Sequence, residues 1–130
     1  MTIRDARCAC GALTAQAEGD PVRLSVCHCL DCKRRSGSAF SWNATYDADR
    51  VAIAGESQTY RRGSDDGYWV RQSFCPQCSV TVFYEIEQRP GMISIPAGAF
   101  ADPAFPSPTI EVYEDRACFW LPDLGLPREP

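Results

Sequence analysis

The side chains in this sequence with the most chemistry to offer are its thiols. Eight cysteines occur among 130 residues, and seven of them fall into three tight groups. The groups are Cys8-Ala9-Cys10, Cys27-His28-Cys29-Leu30-Asp31-Cys32 and Cys75-Pro76-Gln77-Cys78. So dense a set implies either a disulfide framework or metal sites. Two features favour metal. Disulfide scaffolds spread their cysteines to close long loops, where the entropic gain is larger, whereas one ion needs several sulfurs gathered at ~2.3 Å. The first residues, Met1 to Arg7, contain no apolar stretch of the kind a secretory leader carries, so a cytoplasmic setting with reduced thiols is expected. Thiolate-rich sites select zinc first, with iron–sulfur as the minority reading.

The elements that must position these thiols read as short strands. Alternation dominates and helical periodicity is scarce. Phe40, Trp42, Ala44 and Tyr46 share one face of a strand, and Val51 with Ile53 mark another. Tyr68, Val70, Gln72 and Phe74 alternate with Trp69, Arg71 and Ser73. Val80, Val82, Tyr84 and Ile86 follow, then Ile93 with Ile95, Ile110 with Val112, and a closing strand through Cys118, Phe119 and Trp120. Turn residues separate them at Gly19-Asp20-Pro21, Asp47–Asp49, Gly63–Gly67 and Arg89-Pro90-Gly91. The stretch 96–108 reads as a long loop with one helical turn at most. The class expected is all-β in one domain over 1–130, with a core about 4–121 and a Pro-rich surface tail at 122–130. Trp42, Trp69, Trp120, Phe40, Phe74 and Phe83 sit at strand spacing and are expected in the core.

The cysteines sort into two sites. Cys75-Pro76-Gln77-Cys78 lies between two strand patterns and reads as a hairpin knuckle. Cys8 and Cys10 share one side of an extended segment, since residues two apart point the same way. Together they offer a four-thiolate site of the closed, structural kind. Cys27, Cys29 and Cys32 form a C-x-C-x-x-C cluster. Cys118 lies in a strand-like run and reads as a core thiol. The second site then has three protein ligands and one open position, which is the pattern of catalytic zinc. His28 points away from its neighbours, which leaves it as a ligand or proton shuttle, a residue behind the ligands, or a surface residue.

Taken in order, C-x-C-G at Cys8–Gly11, C-H-C-x-x-C with its basic follow-on and Ser-Gly at Cys27–Gly37, and F-C-x-x-C at Phe74–Cys78 resemble the glutathione-dependent formaldehyde-activating enzyme family. That family shares its domain with centromere protein V. The likeness runs over about 4–121. It implies a β-tent fold with two zinc ions: Cys8, Cys10, Cys75 and Cys78 on the structural one, Cys27, Cys29 and Cys32 on the catalytic one. Both sets agree with the sorting by spacing. It further implies a carbon–sulfur lyase that joins a glutathione-like thiol to formaldehyde or a related aldehyde. Two positions depart from the family pattern: Ser79 replaces a glycine after the knuckle, and Thr109 replaces a histidine.

Composition bounds the alternatives. The net charge of −4 disfavours a general nucleic-acid binder, and no apolar run approaches the ~18 residues of a membrane span. Lys33, Arg34 and Arg35 follow the cysteine cluster and could offset its negative charge or meet an anionic substrate. Arg34, Arg35, Arg61, Arg62 and Arg71 are candidates for pairing with substrate carboxylates. Glu111, Glu114 and Asp115 are expected at the surface, and Asp65-Asp66 at a solvated loop tip. A zinc-stabilised binding module and a thiol redox sensor, in which Cys27 and Cys32 oxidise, are the competing functions.

Overall fold

A computed structural model describes residues 2–129. Met1 and Pro130, the ends of the expected domain and tail, lie outside the described residues. The described chain is mainly β. Its strands are β1 (Ile3–Arg7), β2 (Thr14–Glu18), β3 (Arg23–Cys27), β4 (Ser41–Asp47), β5 (Val51–Ala54), β6 (Gln58–Gly63), β7 (Trp69–Phe74), β8 (Thr81–Ile86), β9 (Met92–Pro96), β10 (Ile110–Val112) and β11 (Arg128–Glu129). A short helix, α1 (Leu30–Ser36), lies between β3 and β4.

β1, β2 and β5 form a three-stranded sheet, and the remaining strands form an eight-stranded one in the order β11-β10-β3-β4-β9-β8-β7-β6. Most neighbours run antiparallel, but β10 is parallel to both β3 and β11. Period-2 alternation gives the large sheet two unlike faces. In register, Leu24 lies opposite Ala44 and Val26 opposite Trp42, whereas Ser25 lies opposite Asn43 and Cys27 opposite Ser41. The same division continues to β9, where Ala44 meets Ile95 and Thr45 meets Ser94. Of the apolar set, Leu24, Ala44 and Ile95 pack into a core with Ala6, Leu13, Ala15, Ala17 and Tyr46, and Trp42 packs against it. Of the polar set, Ser25, Cys27, Asn43, Thr45 and Ser94 line a cleft.

Gly55 ties the small sheet to the first cysteine knuckle. Its φ is +97°, and a Cβ there would lie 1.9 Å from the carbonyl oxygen of Ala12. Only glycine permits that approach.

Several expectations are corrected. The segment Cys118–Trp120 is a turn rather than a strand. Phe119 is fully exposed and Trp120 61% exposed, so Trp120 leaves the core. Cys118 is half-buried and lies outside the core cluster. Glu111, expected at the surface, is buried at 4% exposure. Cys10 stands in a turn beyond the end of β1 rather than in an extended segment. Part of the tail is ordered into β11, which pairs with β10. The loop after β9 does carry one short helical turn, Ala97–Phe100. No helix among the described residues is long and apolar enough to cross a membrane.

Candidate metal centres and cleft

The first cysteine group is built by two hairpin knuckles. At the β1–β2 connection the Cys8 N–H donates to the Leu13 carbonyl at 3.0 Å, and the Leu13 N–H donates to Cys8 Sγ at 3.3 Å. At the β7–β8 connection the Ser79 N–H donates to the Cys75 carbonyl at 2.8 Å and the Gln77 N–H to Cys75 Sγ at 3.4 Å. Backbone N–H groups aimed at a sulfur favour its thiolate form. The two knuckles face each other, so Cys10 Sγ lies 3.7 Å from Cys8 Sγ and 3.6 Å from Cys75 Sγ. A tetrahedron with ~2.3 Å zinc–sulfur bonds has an edge of ~3.8 Å, so this spacing fits a dication. All eight cysteines are free thiols. Protons are shared unequally within the group. Cys78 is pulled down to about 6, chiefly by the backbone N–H groups of Val80 and Cys10. Cys10 is pushed up to about 11: the Ala12 backbone opposes the change, and the neighbouring Cys75 thiol and burial outweigh it.

The second group forms where β3 leaves the large sheet. Cys27 ends the strand. Cys29 is the N-cap of α1, with φ −61° and ψ 153°, and its Sγ accepts the Cys32 N–H at 3.2 Å. The cap is what turns Cys29 and Cys32 towards one point. Gly37 ends the helix in the left-handed region at φ 65°, its N–H donating to Lys33. The ligand atoms of Cys27, Cys29 and Cys32 all lie within 4.8 Å of one another, as do those of the four-cysteine group. Cys32 is pulled down to about 2 by the thiols of Cys27 and Cys29, with help from Ser41 and the Arg35 guanidinium and against its burial. Cys27 is pushed up by Cys29, Cys32 and burial. Three thiols gathered this closely, two of them buried and Cys29 half-buried, are a donor set suited to a soft dication.

The two groups differ in what surrounds them. Cys27, Cys29 and Cys32 stand on the wall of a cleft of about 730 Å³ over the polar face of the large sheet, and none of the other four lines it. Ser25, Asn43, Thr45, Ser94 and Tyr84 form its floor. Thr45 and Ser94 share a hydrogen bond of 2.8 Å, and Asn43 donates to Ser41 at 2.9 Å. Burial pushes the Tyr84 phenol up, which keeps it a donor. Arg23, Arg62, Arg89 and Arg116 line the cleft, together with Asp31, Asp65, Asp66 and Glu129. Each arginine meets a carboxylate: Arg23 and Arg89 reach Glu129 at 2.7 and 3.9 Å, Arg62 reaches Asp31 at 3.4 Å, and Arg116 pairs with Asp65.

Of the arginines singled out by sequence, only Arg62 lines the cleft. Arg61 and Arg71 stack on the Trp69 ring at 5.0 and 5.7 Å. Arg34 is exposed and pairs with Asp31. Arg35 donates to the Asn43 side-chain oxygen and covers the Tyr84 ring. Lys33 is tied to the Arg116 carbonyl. Asp65 and Asp66 are exposed but engaged: the first with Arg116, the second accepting from the Tyr113 hydroxyl. Arg23, Arg89, Arg116 and Tyr84 were missed because no local motif marks them. Thr109 binds the Leu24 carbonyl and does not line the cleft.

Two cysteine groups that could each hold a metal ion, one of them on a cleft wall, stand in a mainly β chain. The family model for glutathione-dependent formaldehyde-activating enzymes matches residues 3–116, and the chain belongs to that family. Among solved structures, a Rhodobacter sphaeroides protein is similar in fold, with a TM-score of 0.61 at 18% identity, over 96% of this chain and 99% of that one. Comparison with curated proteins gives no match.

Proposed function

We propose that this chain is a zinc-dependent carbon–sulfur lyase of the glutathione-dependent formaldehyde-activating type, working as one domain in the cytoplasm. The observation that carries the reading is the convergence of Cys27, Cys29 and Cys32 on the wall of the 730 Å³ cleft, a volume within the ~300–1,000 Å³ usual for small-molecule sites. Cys8, Cys10, Cys75 and Cys78 would hold a structural zinc ion, and the three cleft cysteines a catalytic one. A zinc ion with an open position supplies Lewis acidity, lowering a thiol pKa and polarising a carbonyl.

The chain's own groups would bind and orient the reactants. A glutathione-like thiol carries carboxylates and an ammonium group, and the cleft offers both arginines and carboxylates to meet them. Tyr84 and the hydroxyl row of Thr45 and Ser94 offer neutral hydrogen bonds to amide groups. In the reaction the thiol sulfur bonds to the aldehyde carbon, the carbonyl π bond opens onto its oxygen, and the thiol proton ends on that oxygen. The reverse breaks the same carbon–sulfur bond and returns thiol and aldehyde.

A binding module without catalysis is favoured by one observation: each cleft arginine named above is already paired with a carboxylate of the chain. One experiment separates the readings. Zinc content is measured, and exchange between free glutathione and S-(hydroxymethyl)glutathione is followed by NMR with and without protein, because thiols add to formaldehyde unaided. Two ions per chain and exchange faster than the uncatalysed rate support the enzyme. Two ions with no acceleration overturn it in favour of the module. Oxidation of Cys27 and Cys32 with loss of zinc under mild peroxide, again without acceleration, overturns it in favour of the sensor.

A further inference from the structure

Between two of the cleft cysteines stands a fully buried histidine. His28 is 0% exposed, and its Nε2 lies 2.7 Å from Oε2 of Glu111, itself 4% exposed. Neither residue lines the cleft. Glu111 sits on β10, which runs parallel to β3 with Val112 opposite Cys27. The His28 N–H donates to the Val112 carbonyl at 3.0 Å, and the ring meets Phe40 edge-on at 6.0 Å. His28 Nδ1 and Glu111 Oε1 are buried without a partner.

Burying an imidazole and a carboxylate is costly, and a well-packed apolar pair of similar volume is often neutral or better for stability. The pair therefore calls for a reason beyond packing. Its place in the chain supplies one. Strand alternation sends Cys27 and Cys29 to one side and His28 to the other. The backbone must then leave β3, turn, and enter α1 within a few residues while three sulfurs converge. An anchored side chain at the middle position fixes the rotation of that segment.

We infer that His28 and Glu111 are positioning residues for the three-cysteine cluster, pinning the chain so that Cys27 and Cys29 present their sulfurs at the spacing an ion requires. The inference rests on the reading that this cluster takes zinc. Groups that orient metal ligands from behind typically change affinity by ~10–100-fold, and an effect of that order is expected from a pair that holds the ligand-bearing backbone.

The test uses the full chain, loaded with zinc or with cobalt. Zinc is withdrawn by a graded chromogenic chelator, which reports both sites, and the cobalt form gives a thiolate charge-transfer spectrum. Glu111→Leu is expected to weaken the three-cysteine site by ~10–100-fold and alter its spectrum, while the four-cysteine site keeps its affinity. Glu111→Gln, which keeps an acceptor, is expected to stay within about threefold of the parent. If Glu111→Leu does not fold, Glu111→Asp, one methylene shorter, must show a loss confined to the same site. Variants with parental affinity and spectrum overturn the inference, as does a Glu111→Gln as weak as Glu111→Leu. A parent chain that takes only one ion overturns the zinc reading itself, whereas a two-ion parent with indifferent variants overturns the inference alone.

Discussion

The two cysteine clusters use the same element in opposite settings. Cys8 and Cys75 belong to the hydrophobic core and bridge the β1–β2 hairpin to the β7–β8 hairpin. Both halves are knuckles in which backbone N–H groups point at sulfur. Cys27, Cys29 and Cys32 come from one short stretch, lie outside that core, and face a cleft. The first arrangement closes a chain loop of 65 residues between Cys10 and Cys75. The second closes almost none and has little to contribute to the fold by that route. Sulfurs that join distant segments favour stability, and sulfurs that are local and exposed to a cleft favour chemistry.

That contrast is broken most directly at the core cluster. On the proposed ligand set, Cys75→Ala removes one of four ligands and with it a large part of a metal-linked folding free energy that, for the whole site, is on the order of 10 kcal/mol, as much as a small domain has. The expected result is an unfolded chain by circular dichroism and loss of both ions. A folded variant with near-parental melting temperature would show that the hairpins hold without the ion.

Cys29→Ala is the matched change in the other cluster. It costs a helix cap, about 1 kcal/mol, and lowers the melting temperature by roughly 5 °C. Zinc content should fall from two ions to one, and thiol–aldehyde exchange by ~100-fold or more, equivalent to ~2.7 kcal/mol of barrier. Full retention of turnover with a single ion would place the chemistry elsewhere.

A smaller effect sharpens the position of the cleft. Arg62 lines it and Arg71 does not, although β6 and β7 are paired neighbours. Arg62→Ala should raise the thiol KM about tenfold with kcat little changed, the loss of one charge-assisted contact. Arg71→Ala should leave both constants alone. Equal responses from the two would mean that the carboxylates of the thiol bind outside the cleft.

What could be read in the sequence follows the range of the interactions involved. The cysteine groups were legible because ligand spacing is local, and the knuckle at Cys75–Cys78 because strand patterns flank it. α1 was not, since its seven residues make only about two turns, too short for a recurring apolar stripe, and its cap is a cysteine. The pairing of His28 with Glu111 spans 83 residues and depends on the parallel register of β10 on β3, which no alternation pattern encodes. Phe119 and Trp120 look like a buried strand because composition alone does not tell an apolar turn from one. Alternation does put Arg61 and Arg62 on opposite faces, but which face holds the cleft emerges only from the order of strands in the sheet.

The finest test of the core cluster lies at its turn. Ser79 has φ 68°, in the left-handed region, where a side chain costs about 1 kcal/mol. Glycine, the residue the family pattern places there, carries no such cost but surrenders part of the gain through its freer unfolded chain. Ser79→Gly also removes the hydroxyl bond to the Cys78 carbonyl, which is solvent-exposed and cheaply replaced by water. The net expectation is a gain of about 0.5 kcal/mol, seen as a rise of roughly 2 °C in melting temperature of the zinc-loaded protein. Because the knuckle and not the cleft is relieved, zinc should leave the four-cysteine site more slowly while the three-cysteine site is unaffected. A fall in melting temperature would mean that the serine hydroxyl contributes more to the knuckle than the left-handed backbone costs it.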